Sequence, residues 1–348
     1  MSTPILTPAS PGLNRWPRPG SDTQPGVRYL GRVDFRDALG PRLAWPACGV
    51  QFCFHGERLE LHLASDGENA ISIRIDQQLL VPRLSVHGEC HFVLPLPAAS
   101  QPRHCEIIKL TEAFVGTLQL RGLALPAGQL LPPPPPLRQR ILFCGDSISG
   151  GFGVLGDAAT DYAPWTCDAT RAYGWLTASA LQMEPRLLAW SGLGVTRNFD
   201  DSPLTWPERA DWMLPLPDPG QDDGLWQADI VVLNLGTNDF AGGGQPVRQD
   251  FVQRYAQLLG RLRQAHPLAA LICCLGPVLM PPYRERLRDY VHQACRQSAL
   301  ARTYCLEFAP QQEEHGYGVT RHPSVLTQQL MARQISGFIS GLQAAGLV

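Results

Sequence analysis

Five consecutive prolines, Pro132–Pro136, constrain this chain more than any other feature. No helix or central strand runs through such a segment, because each proline fixes φ and lacks the amide hydrogen that secondary structure needs. The run adopts polyproline II and serves as a semi-rigid spacer, a reading that requires no outside partner. Residues 126–138 therefore read as a linker, and each side must bury its own core. A length of 348 residues leaves room for a domain on each side.

The two sides differ in texture. Between about Val27 and Leu125 the stretches Val50–Phe54, Leu59–Leu63, Ile71–Ile75 and Thr117–Arg121 alternate apolar and polar residues with period two. That pattern places one face on a core and the other in water. Turn-forming punctuation such as Ser65-Asp-Gly-Glu-Asn separates the runs, and no helical pattern is evident. Residues 27–125 are thus predicted to form an all-β sandwich or jelly roll. Residues 139–348 alternate instead. Strands are predicted at Arg140–Cys144, Arg186–Trp190, Asp229–Leu235, Leu268–Leu275 and Arg302–Glu307. Helices are predicted at Asp168–Met183, Gln249–Ala265, Tyr283–Ala301 and Val325–Gln343. Apolar strands alternating with helices make a parallel sheet covered on both faces.

Composition narrows the function classes. Net charge is −2, so there is no electrostatic footprint for nucleic acid or an anionic membrane. The basic residues are uneven, since Lys109 is the only lysine, an asymmetry we read as compositional. No window offers the apolar length of a membrane-spanning helix. The ten cysteines include no CxxC and no zinc-like spacing, and Cys53, Cys144, Cys273 and Cys274 lie in apolar runs, as small buried hydrophobes do. We expect no metal and no cofactor. Residues 1–26, rich in Pro, Gly, Ser and Thr, read as a disordered leader without a signal-peptide pattern. That absence predicts a cytoplasmic location, or a periplasmic or secreted one if a preceding signal has been trimmed. Nothing in the sequence sets the oligomeric state.

Four short blocks carry the chemistry, each where a parallel sheet places its active site, just beyond a strand's carboxyl end. Gly145-Asp146-Ser147-Ile148 presents a serine on a glycine-supported turn. Ser191-Gly-Leu-Gly194 offers glycines whose N–H groups can approach a ligand. Gly236-Thr-Asn238-Asp239 supplies an amide donor. His322-Pro323 supplies an imidazole able to act as general base, with His315 a nearby competitor. Alone, each block is an ordinary loop sequence.

In this order the blocks resemble those of the SGNH, or GDSL-type, hydrolase superfamily. The β-rich N-terminal half, the run Gly145-Asp-Ser-Ile-Ser-Gly-Gly-Phe-Gly-Val154 and the block Ser191–Asn198 resemble carbohydrate esterase family 2 in particular. The resemblance implies a flavodoxin-like three-layer α/β domain and an acyl-enzyme mechanism on acetylated carbohydrates such as xylan, mannan or xyloglucan. It further implies Ser147 as nucleophile and His322 as base, with an oxyanion hole of Ser147, Gly194 and Asn238. Gly192 is the alternative glycine donor. Asp146, Asp239 and Asn198 would support these loops. The resemblance implies an aspartate three residues before the histidine in the superfamily, or an Asp-Trp-His-Pro block in family 2, and neither is present: Val319-Thr-Arg-His322-Pro holds no carboxylate. A triad acid fixes the imidazole tautomer. Three replacements are open, namely a backbone carbonyl, a displaced Glu313 or Glu314, or a degenerate site. Arg321 stands where the family usually has an aromatic residue, and can either repel imidazolium or bind substrate. Trp165, Tyr173, Trp175 and Trp190 could include a sugar-stacking surface, although such aromatics are more often core.

Two other functions stay open at this level. One is a lipolytic esterase or thioesterase on the same fold. The other is a carbohydrate-binding protein that has lost catalysis.

Overall fold

The computed structural model describes residues 5–6, 15–16, 26–214, 220 and 224–348. They fall into two compact units, Met1–Pro136 with Met213–Gly220, and Leu137–Trp212 with Gln221–Val348. Among the described residues, no helix is long and apolar enough to cross a membrane.

The first unit is β-rich. Its strands are β1 (Ile5–Leu6), β2 (Arg28–Leu30), β3 (Val33–Asp34), β4 (Arg42–Leu43), β5 (Gly49–His55), β6 (Arg58–Ile75), β7 (Gln78–Pro95), β8 (Arg103–Lys109), β9 (Leu118–Ala124) and β10 (Gln129–Leu131). All pairings among them are antiparallel. The predicted break at Ser65–Asn69 lies inside β6 instead, as a register shift against β7. Its polar groups satisfy one another, with Ser65 Oγ donating to Gly67 O at 2.7 Å and accepting from Asn69 Nδ2 at 2.9 Å. Gly67 serves close approach rather than a turn, since a Cβ there would stand 1.8 Å from Val115 O.

Two expectations for the ends of this unit are corrected. Gln129–Leu131, assigned above to the spacer, pairs with Cys53–His55, and Arg28 Nη1 donates to Pro135 O at 2.8 Å. In the stretch read as a disordered leader, Ile5–Leu6 pairs with Phe92–Val93, and Trp16 is buried edge-on to Phe52. The rest of that expectation lies outside the described residues. Lys109 is a core residue, its Nζ donating to the carbonyls of Thr111 and Glu112 at 2.8 and 2.9 Å.

The second unit holds a parallel sheet of β11 (Arg140–Gly145), β12 (Glu184–Ala189), β13 (Ile230–Asn234), β14 (Ala270–Leu275) and β15 (Thr303–Glu307), in the order β12-β11-β13-β14-β15. Its helices are α1 (Ser147–Gly150), α2 (Tyr173–Leu181), α3 (Trp206–Arg209), α4 (Arg248–Ala265), α5 (Tyr283–Ser298) and α6 (Val325–Ala344). Helix α2 packs with α6, and α4 with α5. Strands β13 and β14 are buried along their whole length, which explains their unbroken apolar sequence. The predicted helix from Asp168 divides: Asp168 caps a 3₁₀ turn, Ala169–Arg171, and α2 starts only at Tyr173. The strand order reverses about β11, so the loops leaving β11 diverge from their neighbours. That crevice is where open α/β sheets bind ligands.

Candidate active site

The turn that carries Ser147 follows β11 directly. Gly145 must lack a side chain, because a Cβ would stand 2.1 Å from Ser149 Oγ. Asp146 caps α1, its carboxylate accepting from Ile148 N–H at 3.0 Å. Ser147 opens this short helix, and its Oγ lies 2.9 Å from His322 Nε2. Serine and histidine are 175 positions apart and meet at hydrogen-bond distance.

The histidine is oriented by its own segment. Thr320 and Arg321 both take left-handed backbone, with φ of 49° and 62°. This tight turn returns the Val319 carbonyl to 2.9 Å from His322 Nδ1. Thr320 Oγ1 lies 3.0 Å from the same nitrogen and donates its own hydrogen to Val319 O at 2.8 Å. With a carbonyl opposite it, Nδ1 carries the proton and Nε2 is free to accept from serine. Val319 N–H donates to Gly153 O at 3.0 Å, anchoring the turn beside the loop that follows Ser147. Phe152 packs on the imidazole with ring centroids 4.5 Å apart, and Tyr162 stacks behind Phe152. This burial disfavours imidazolium and holds the His322 pKa below its ordinary value, partly opposed by the Val319 hydrogen bond.

The carbonyl is thus the replacement that is present. Among the described residues no carboxylate contacts His322. Glu313 and Glu314 lie on a separate 3₁₀ turn, where Glu314 faces His315 at 3.7 Å. The displaced-glutamate reading is corrected accordingly, and His315 is not the base. Arg321 turns away, its guanidinium over the Tyr317 ring at 4.3 Å, so it does not press its charge on the imidazole.

The loop after β12 is fastened from both sides. Asp239 is buried and accepts from the N–H groups of Val195, Thr196 and Arg197 at 2.8, 2.7 and 3.1 Å, and from Thr196 Oγ1 at 2.6 Å. Burial outweighs these donors and pushes its pKa up. Asn198 Oδ1 accepts from Gly194 N–H at 3.0 Å. That bond corrects the choice of Gly194 as oxyanion donor, because its hydrogen is already engaged. A Cβ at Gly194 would stand 2.0 Å from Arg197 O, so glycine there serves packing. Gly192 has φ +82° and open space around it, and its N–H has no acceptor among the described residues. Asn238 Nδ2 donates to Leu193 O at 2.9 Å and lies 3.4 Å from Asp146 Oδ2. Both amide hydrogens therefore have acceptors, and the one on the longer 3.4 Å bond to Asp146, the neighbour of Ser147, is the more weakly held. Asp146 is fully buried, and burial pushes its pKa up to about 7.

Of the candidate aromatics, Tyr173, Trp175 and Trp190 are buried and only Trp165 is exposed. Among the described residues, no cluster of acidic, histidine or cysteine side chains could hold a metal ion. Sequence reasoning named a backbone carbonyl without identifying it as that of Val319, ranked Gly192 second, and missed Phe152 and Thr320.

A serine and a carbonyl-oriented histidine at the switch point of a parallel sheet, with an amide donor alongside, define a nucleophilic acyl-transfer site. Residues 29–135 match the family model "Carbohydrate esterase 2 N-terminal", and residues 143–329 match that of the GDSL-like Lipase/Acylhydrolase family. A family two carbohydrate esterase from Clostridium thermocellum, solved in complex with cellohexaose, is 32% identical with a TM-score of 0.87, the alignment covering 93% of this chain and 100% of that one. The Acetivibrio thermocellus cellulase/esterase CelE is 33% identical over 324 residues, 91% of this chain, which spans only 40% of CelE's length. A Cellvibrio japonicus acetylxylan esterase / glucomannan deacetylase is 26% identical, covering 90% of this chain and 88% of that protein. The chain belongs to carbohydrate esterase family 2.

Proposed function

We propose that this protein is a serine esterase that removes O-acetyl groups from carbohydrates through an acyl-enzyme. Ser147 Oγ attacks the acetyl carbonyl as His322 Nε2 takes its proton. The oxyanion is met by the N–H groups of Ser147 and Gly192 and by Asn238 Nδ2. The tetrahedral intermediate collapses as His322 returns a proton to the departing sugar oxygen, leaving acetyl-Ser147. Water, deprotonated by the same imidazole, adds to the acetyl carbonyl, and the second tetrahedral intermediate collapses to acetate as His322 returns that proton to Ser147 Oγ. Every step uses this chain's own side chains and backbone.

The observation that carries the reading is the Ser147–His322 contact at 2.9 Å with Nδ1 held by a carbonyl. It gives the base its tautomer without a carboxylate, which weakens the case for a binding protein that has lost catalysis. The names of the relatives support an acetylated glycan as substrate. The β-rich unit is read as a sandwich, supported by the way β6 pairs with β9 through Glu60–Ser65 and with β8 through Ile71–Ile75.

Acetate release from acetylated xylan and glucomannan tests the proposal, comparing wild type with Ser147→Ala and His322→Ala. Both variants should lose at least about 10³-fold. Wild type that releases no acetate, or matches Ser147→Ala, would sink it. A preference for octanoyl over acetyl p-nitrophenyl esters would favour the lipolytic alternative.

A further inference from the structure

The reactive pair belongs to two remote segments, and their separation must be fixed by something other than the pair itself. One tie is backbone, the Val319–Gly153 hydrogen bond. The other is a side chain. Helix α6 begins three residues after His322, with Ser324 as its cap. In its second turn lies Gln328, only 1% exposed. Gln328 Nε2 donates to the Ile148 carbonyl at 2.9 Å, and Oε1 accepts from Tyr173 N–H at 2.8 Å. Ile148 immediately follows the nucleophile. Tyr173 opens α2, and its hydroxyl lies 2.9 Å from Ser149 Oγ in the same turn. One amide therefore braces the nucleophile turn directly through Ile148 and indirectly through Tyr173 and Ser149, from the helix that follows the base.

We infer that Gln328 is a positioning residue for the esterase reaction, setting the distance between Ser147 Oγ and His322 Nε2. This rests on the function proposed above. The site demands an amide. Tyr173 N–H is one of the unpaired donors at a helix start and needs an acceptor, while Ile148 O needs a donor. Glutamine offers both on one rigid plane. An ionised carboxylate can meet Tyr173 N–H but repels Ile148 O. A thioether of similar size meets neither.

The test is steady-state kinetics on p-nitrophenyl acetate for wild type, Gln328→Met and Gln328→Glu, with circular dichroism to establish folding. Gln328→Met should lower kcat by about 10- to 100-fold with KM changed by less than about twofold, because the fault is misplacement of reacting atoms. Gln328→Glu supplies a signature that a purely structural role would not move. Its buried acid titrates above the usual carboxylate range, and only the neutral form donates to Ile148 O. The ratio of its kcat to that of wild type should thus rise at least about fivefold between about pH 8 and about pH 5.5. An unchanged kcat in folded Gln328→Met, or a pH-independent ratio for Gln328→Glu, would overturn the inference while wild type remains active. If Gln328→Met does not fold, the Gln328→Glu ratio decides. Wild type without esterase activity would overturn the function itself, and this inference with it.

Discussion

His322 Nδ1 lies 2.9 Å from the carbonyl oxygen of Val319, three residues earlier in the same turn. Position 319 is where the resemblance to SGNH-type hydrolases would put an acid, and this chain has valine there. Here the residue at that position performs the orienting role through its backbone. A carbonyl fixes the tautomer but supplies no full charge to stabilise imidazolium. The cost falls on the rate of proton transfer rather than on its geometry.

Thr320 shares the same nitrogen, and its contribution is separable. Thr320→Val removes the hydroxyl and leaves the carbonyl. The loss is the contact with Nδ1 and the hydroxyl's own bond to Val319 O, both between neutral groups, so kcat should fall no more than about tenfold. A larger fall would make the hydroxyl, rather than the Val319 carbonyl, the group that orients the base. Kinetics on p-nitrophenyl acetate at a pH where His322 is neutral reads this directly.

The pH profile follows from the burial of His322. In the proposed reaction His322 must be neutral to accept the serine proton, and burial disfavours its cation. As pH falls, protonation is therefore delayed below the ordinary histidine range of about 6.5, and the acid limb of kcat/KM should have its midpoint below that value. Stability carries the same sign. The unfolded chain takes up this proton first, so the contribution of neutral His322 is present above the unfolded pKa and declines as pH falls through it. A midpoint above about 6.5 would mean that an unseen negative charge supports the ring.

Asn238 tests the oxyanion hole. Its Nδ2 donates to Leu193 O and, at the longer 3.4 Å, to Asp146 Oδ2, so Asn238→Ala removes the proposed oxyanion donor and both of these bonds. Loss of a single oxyanion donor costs about 10²–10³ in kcat with little change in KM. A fall confined to KM would instead assign Asn238 to substrate binding.

The sequence made some of this legible and hid the rest for physical reasons. Buried parallel strands such as Ile230–Asn234 announce themselves because both faces are apolar. Ser147, Asn238 and His322 stood out as candidates because the chemistry proposed for them lies in their side chains. Val319 was invisible because any residue has a carbonyl, and only the left-handed turn at Thr320 and Arg321 makes this one functional. Ser65–Asn69 misled because residues that form turns also form bulges when their polar groups satisfy each other. Gln328 reads as one polar residue in an amphipathic helix. Only the fold reveals that it points inward.

Gly192 and Gly194 illustrate the same limit and provide a sharp comparison. On sequence the two are interchangeable candidates for the oxyanion donor. In the structure a Cβ at Gly194 would meet Arg197 O at 2.0 Å and Asp239 Oδ2 at 2.5 Å, both in the fastened core of the loop. Gly194→Ala should therefore destabilise the protein by about 3 kcal/mol, as overpacking against backbone does. At Gly192 the nearest atom to a Cβ is Phe199 Cβ at 3.9 Å, so the penalty is only that of left-handed backbone. Gly192→Ala should cost about 1–2 kcal/mol of stability. Its effect should appear in kcat, because relaxing the strained φ moves the N–H proposed to meet the oxyanion. Thermal unfolding and kcat measured on both variants separate the roles. If Gly194→Ala were fully stable and inactive while Gly192→Ala kept wild-type kcat, the assignment of the donor would return to Gly194.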